Sequence, residues 1–139
     1  MFSPLIKKLI SSLRCLPGVG PKSAQKMALY LLQRDKQSAA KLASTLSEAL
    51  SKVKQCSSCY ILTEESECSI CRDKTRNRTQ LCIAETLADV IAIESSGGFK
   101  GLYFVLLGHL SPVDGLGPEI LRLDRLEKII EHNKVKEVI

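Results

Sequence analysis

The 139-residue sequence has no tryptophan and only six aromatic residues. That scarcity disfavours a platform of stacked bases as its main way of binding nucleic acid. Long apolar runs are missing too. The longest, Leu102 to Leu107, is far too short to cross a bilayer, and no membrane association is expected. Near the N-terminus, Lys7 and Lys8 precede an apolar stretch that Ser11, Ser12 and Arg14 interrupt, which is not the pattern of a signal peptide. Internal repeats and low-complexity tracts do not stand out. What remains is 45% hydrophobic and 25% charged, the balance of a soluble globular chain. The length suits one ordinary domain or two small ones sharing a joint. Without an export signal, the six cysteines are expected in a reducing, cytoplasmic compartment, which favours metal over disulfides.

Four of those cysteines organise the chain. Cys56-Ser57-Ser58-Cys59 is followed, eight residues later, by Cys68-Ser69-Ile70-Cys71. Two Cys-x-x-Cys knuckles at this separation can converge as four thiolates on a tetrahedral zinc ion. The intervening run from Tyr60 to Glu67 is short and acidic and cannot fold a core alone, whereas a structural zinc supplies about 10–16 kcal/mol of apparent binding energy. The competing readings are two disulfides or a redox pair. A redox Cys-x-x-Cys normally comes singly, at a helix start after a strand, and neither condition holds here. Four protein ligands leave no open position, so the expected role is structural. Cys15 and Cys82 lie in apolar surroundings and are expected as buried small residues rather than reactive thiols.

The net charge of +5 is unevenly spread. Residues 1–54 carry ten Lys/Arg against Asp35 and Glu48; residues 55–80 carry four of each sign; residues 81–139 carry six basic and nine acidic. A basic front half on a mildly acidic back half fits a nucleic-acid-binding module joined to a different domain. It fits equally a helical domain kept soluble by its lysines.

Local pattern divides the chain the same way. Leu5, Ile6, Leu9, Ile10 and Leu13 predict a helix over 3–14, with Ser3 as N-cap and Pro4 at its first position. Leu16-Pro17-Gly18-Val19-Gly20-Pro21-Lys22 then predicts a tight glycine hairpin, with Pro21 opening a second helix to about Gln33. A third helix is expected over 36–54. Its stripe of Ala39, Leu42, Ala43, Leu46, Ala49, Leu50 and Val53 points to close helix–helix packing. Arg72 to Arg78 reads as a solvated linker or ribbon edge. From residue 80 onward the pattern becomes strand, helix, strand, helix, strand, which argues for a parallel α/β sheet. Leu81 to Ala84 is a short buried strand ending at Glu85, and Thr86 with Asp89 forms a capping box on a helix closed by Gly97-Gly98. Leu102 to Leu107 is the second strand. A turn rich in Gly and Pro (108–118) leads to a helix carrying Leu123, Leu126, Ile129 and Ile130, and Val135 to Ile139 starts the third strand.

Two places could carry chemistry besides the cysteines. Backbone N–H groups from Gly18 to Lys22 at a helix N-terminus can hold a phosphate, with Lys22 and Lys26 adding charge beside it. Gly18, Gly20, Lys22 and Lys26 are therefore the candidate DNA contacts, sequence-tolerant and salt-sensitive. A simple tight turn between packed helices is the alternative. Glu85 sits at the carboxyl end of a parallel strand, where α/β folds place ligands. A single carboxylate is not a phosphoryl-transfer metal site, however. Asp89 is engaged as a cap, Asp114-Gly115 looks like a turn, and His109 has no Cys or Asp partner at catalytic spacing.

Taken in order, Leu16-Pro-Gly-Val-Gly-Pro-Lys-Ser-Ala-Gln25, the four cysteines, Leu81-Cys-Ile-Ala-Glu85 and Gly108-His-Leu-Ser-Pro-Val-Asp-Gly-Leu-Gly-Pro118 closely resemble the RecR family of bacterial recombination proteins. The resemblance covers essentially the whole chain. It implies an α+β multidomain chain: a helix-hairpin-helix domain (1–54), a small four-cysteine zinc module with linker (55–79), and an incomplete α/β Toprim domain with a parallel sheet (80–139). The family's zinc ligands fall on Cys56, Cys59, Cys68 and Cys71, its basic hairpin residues on Lys22 and Lys26, and its Toprim glutamate on Glu85. It also implies a non-enzymatic, cytoplasmic clamp. Such a clamp self-associates through its N-terminal domain into a dimer or tetramer ring and acts with RecO and RecF to load recombinase onto gapped, SSB-coated DNA. Members of the family continue past the position of Ile139, which leaves Val135 to Ile139 as an incompletely supported strand. Two other functions stand beside this one. A Toprim-type phosphoryl-transfer enzyme would need Mg²⁺ and clustered carboxylates. A protein-interaction scaffold would have no affinity for bare DNA.

Overall fold

A computed structural model describes residues 1–106 and 122–139. The Gly/Pro-rich turn at 108–118, with His109 and Asp114, lies outside the described residues, as does Leu107. The chain forms two compact units, Met1–Ser51 and Lys52–Ile139.

The first unit is helical: α1 (Pro4–Leu13), α2 (Pro21–Gln33) and α3 (Lys36–Lys52, ending one residue into the second unit). Ser3 caps α1, its hydroxyl accepting from the Ile6 amide at 3.4 Å, and Pro4 and Pro21 open their helices as the sequence predicts. Asp35 caps α3, accepting from the Ser38 amide at 3.0 Å. That hydrogen bond holds its carboxyl below the usual range. Helix α1 packs on α2, whose buried residues are Ala24 and Ala28, one turn apart. Small side chains there let the two backbones approach.

Helix α3 departs from expectation. Leu42, Leu46 and Leu50 are 55%, 56% and 79% exposed, and α3 buries no residue. The stripe is periodic, but its leucines are left uncovered by the rest of the first unit. Cys15 is likewise exposed rather than buried, because α1 ends at Leu13 and leaves it in the turn that follows.

The second unit begins with a two-residue antiparallel ribbon, β1 (Lys54–Gln55) with β2 (Leu62–Thr63), so the third helix stops at Lys52 rather than 54. A single-turn helix, α4 (Ser69–Arg72), follows. Then come β3 (Asn77–Ala84), α5 (Leu87–Ser96), β4 (Gly101–Val105), α6 (Leu123–Asn133) and β5 (Glu137–Val138). The sheet is parallel in the order β4-β3-β5, so β3 is central. The capping box of Thr86 and Asp89 is present on α5, and Gly97 ends that helix in the left-handed conformation.

Alternation along the strands builds two cores. Cys82 and Ala84 of β3, with Tyr103 and Val105 of β4, pack with Val90 of α5. Leu81, Leu102 and Phe104 face the other way and pack with Leu126 of α6. Both faces of the sheet are covered, which is why these strands read as unbroken apolar runs. Full burial of a side chain such as Phe104 contributes about 2–3 kcal/mol.

Strand β3 starts at Asn77, four residues before the apolar run, and its pairing shifts register between Asn77 and Leu81. Gly101 lies against this irregularity. A Cβ there would stand 2.6 Å from the Gln80 carbonyl oxygen. The charged stretch before it is not a solvated linker throughout. The Arg76 side chain is only 11% exposed and forms a two-pronged pair with the Glu94 carboxylate, while also donating to the Phe99 and Gly101 carbonyls.

Candidate metal centre and nucleic-acid interface

Short elements place the cysteines. Cys56 follows β1, and its amide donates to the Ile61 carbonyl at 2.7 Å, while Tyr60 closes the first knuckle by donating to the Cys56 carbonyl at 3.0 Å. Cys68 is the N-cap of α4 and Cys71 lies within it. All four are buried, and their sulfurs lie within 4.8 Å of one another. The Sγ atoms of Cys56 and Cys71 are 3.8 Å apart, and those of Cys59 and Cys68 are 3.5 Å apart. A disulfide needs about 2.05 Å. A tetrahedron with zinc–sulfur bonds of about 2.3 Å has edges of about 3.8 Å. The spacing fits metal rather than disulfides.

Electrostatics agree. The hydrogen bond from the Cys59 thiol, then that from Cys71, pulls Cys68 toward the thiolate. The bond to Cys68 holds Cys59 in its protonated form, well above the usual thiol range. Four sulfurs this close cannot all ionise without a cation among them. Amides point at the same charge: Cys68 N–H to the Cys56 sulfur at 3.3 Å, and Cys71 N–H to the Cys68 sulfur at 3.5 Å. These residues would hold zinc with every position filled by protein, and the ion would bind the two knuckles together without an open site for substrate.

The hairpin between α1 and α2 is a type II turn. Pro17 and Gly18 are its central residues, Gly18 has φ +76°, and the Val19 amide closes it onto the Leu16 carbonyl at 3.2 Å. The Val19 N–H is thereby satisfied, and Pro21 has none. Gly20 is the N-cap of α2 in extended conformation, with no side-chain cap. The first-turn amides of Lys22 and Ser23 are left facing the helix N-terminus. Lys22 and Lys26 are exposed.

Glu85 is exposed just beyond the carboxyl end of β3. Strand β3 has β4 on one side and β5 on the other, and α/β sheets bind ligands at the carboxyl ends of such strands. Asp89 does not join it, since one carboxylate oxygen accepts from both the Thr86 amide and hydroxyl, at 2.9 and 2.8 Å. Among the described residues, the four cysteines are the only His/Cys/Asp/Glu cluster able to hold a metal.

Comparisons with known proteins follow this division. The RecR helix-hairpin-helix family matches residues 6–50, and the RecR four-cysteine zinc finger domain matches residues 53–73. The Toprim domain family matches residues 79–139. The "Recombination protein RecR" of Saccharophagus degradans is 55% identical over 139 residues, all of this chain and 71% of that relative. The chain belongs to the RecR family. The expectations of an α+β RecR architecture and of structural zinc in a four-cysteine module hold.

Other residues tie the cysteine module to the sheet and to α6, and their own sequence neighbourhoods do not announce it. Tyr60 has φ +66°, and its ring meets Phe104 edge-on at 5.4 Å with the Arg122 guanidinium 4.2 Å from its centre. Arg78 donates to the Cys71 carbonyl at 2.8 Å, and Arg125 to the Ser57 carbonyl at 3.0 Å. The arrangement of charge on α6 is the one signal that could have singled out Arg125. Asp124, Glu127 and Glu131 share one line of that helix, and Arg125, Lys128 and His132 another.

Proposed function

We propose that this RecR-family chain binds DNA as a mediator of recombinational repair, with Gly18, Gly20, Lys22 and Lys26 holding the phosphate backbone. The observation that carries this reading is the uncapped first turn of α2 behind the Gly18 turn, with two lysines one turn apart beside it. Free amides and a helix dipole favour a phosphate there, and neither reads base sequence. The same reading has the chain act in the bacterial cytoplasm with RecO and RecF, helping to load recombinase onto gapped, SSB-coated DNA. It acts as a clamp rather than an enzyme. Among the described residues Glu85 belongs to no carboxylate cluster, which supports that view, since phosphoryl transfer calls for clustered carboxylates; Glu85 instead serves as a partner or ligand surface. Self-association into a dimer or tetramer ring is supported by the uncovered leucines of α3 and by an apolar groove lined by Leu13, Leu16, Met27, Tyr30, Leu31 and Leu42.

A binding titration on gapped duplex at two salt concentrations tests it. The zinc-loaded chain is compared with Lys22→Glu/Lys26→Glu, and light scattering follows oligomer size because Lys26 also borders the apolar groove. Salt-sensitive binding abolished in the variant, with oligomers intact, is expected. Binding that survives the variant would move the contact off the hairpin. Mg²⁺-dependent nicking abolished by Glu85→Gln would replace the clamp with an enzyme.

A further inference from the structure

Within the second unit, a cleft of about 390 Å³ separates the four-cysteine module from α6. Arg125, Lys128 and His132 line it from one face of α6, and Arg78 lines it from β3. Seven residues at 1.5 Å each spread the α6 groups over about 10 Å. The one carboxylate in the lining is Glu67, which accepts from the Ser58 hydroxyl at 2.9 Å. Both arginines are held in place from behind, by the carbonyls of Cys71 and Ser57, and a guanidinium has further N–H donors to offer. Lys128 and His132 have no ion-pair partner among the described residues.

We infer that this cleft is a second DNA contact, taking the phosphodiester backbone away from the hairpin. The inference rests on the DNA-binding reading above. An acidic peptide offers similar charge, but peptides are gripped by apolar anchors in pockets. Here the apolar lining residues Leu102 and Tyr103 are 4% and 1% exposed, and half-buried Ile129 is the one large apolar side chain left for an anchor to reach. A phosphate chain needs charge and N–H donors alone. The cleft supplies those.

The test is anisotropy of labelled oligothymidylate with the full zinc-loaded chain over a salt series. Lys128→Glu/His132→Glu touches neither the zinc module nor the hairpin; the milder Lys128→Gln/His132→Gln guards against misfolding, with zinc content measured on each. The expected result is about tenfold weaker binding for the first pair, and a salt slope shallower by about 0.7 because one phosphate fewer is neutralised. The neutral pair should show a smaller effect in the same direction. Unchanged affinity and slope, with the hairpin variant impaired, would overturn the cleft while leaving the DNA-binding reading standing. No oligothymidylate binding by the parent chain would overturn both. Binding of a labelled oligo-aspartate through Lys128 and His132, with oligothymidylate unaffected, would overturn it in favour of an acidic protein partner.

Discussion

The amide of Val105, the last residue of β4, donates to the carbonyl of Cys59 at 2.9 Å. The first cysteine knuckle is thus tied to the edge of the parallel sheet. Three further ties run the same way: Arg78 to Cys71, Arg125 to Ser57, and the Tyr60 ring against Phe104. Ile61 and Ile70 pack on both the cysteines and the core beneath α5. The metal site and the sheet belong to one compact unit.

Removing the metal should therefore unfold more than the knuckles. Structural zinc supplies on the order of 10 kcal/mol, comparable with the whole stability of a small domain. Cys59→Ser, or treatment with a strong chelator, is expected to lower the melting temperature of the second unit by well over about 10 °C. Calorimetry with zinc quantified on the same samples checks this. A metal-free chain with an unchanged second transition would show that the sheet stands without the module.

Glu94 holds Arg76 in place and accepts from the Tyr103 hydroxyl at 2.7 Å. Substituting Glu94→Gln removes the charge opposite a guanidinium whose side chain is 11% exposed, and should cost about 2 kcal/mol in urea unfolding. The pH dependence follows. The Arg76 hydrogen bonds lower the Glu94 pKa below its unfolded value, so its contribution is complete above the usual carboxylate range. It disappears as pH falls through the lowered folded pKa. The wild type should lose this increment on acidification and the Gln variant should not; parallel acid titrations of the two would count against the pairing.

The two hairpin glycines should behave differently. Gly18 has φ +76° with open space around its Cβ position, so Gly18→Ala meets no clash but incurs left-handed strain of about 1–2 kcal/mol. Gly20 has φ −87° and equally open surroundings. For Gly20→Ala, a poorer N-cap and a stiffer unfolded chain offset to within about 0.5 kcal/mol. Thermal melts of both variants decide it. If Gly20→Ala weakens DNA binding while leaving the melt unchanged, the close approach of a phosphate is the cause.

Leu46→Glu/Leu50→Glu places two charges on the uncovered face of α3. Both side chains are more than half exposed, so the fold of one chain should change by no more than about 0.5 kcal/mol. Molar mass by light scattering is expected to fall to that of a monomer. An unchanged oligomer would place self-association elsewhere, and a chain already monomeric without the substitutions would leave α3 without this role.

What the sequence determined by itself is whatever depends on neighbours a few residues apart. The Cys-x-x-Cys knuckles, the Ser3 and Thr86 caps, the Pro21 helix start and the apolar runs of β3 and β4 are short-range patterns, and each appears where its spacing predicts. Only tertiary structure decided the rest. Arg76 finds Glu94 across 18 residues and Arg125 finds Ser57 across 68, so neither arginine's own segment reveals its partner. The α3 stripe shows the converse. Its period specifies a helix with an apolar face, but burial requires an opposing surface, and the first unit folds without supplying one to its leucines.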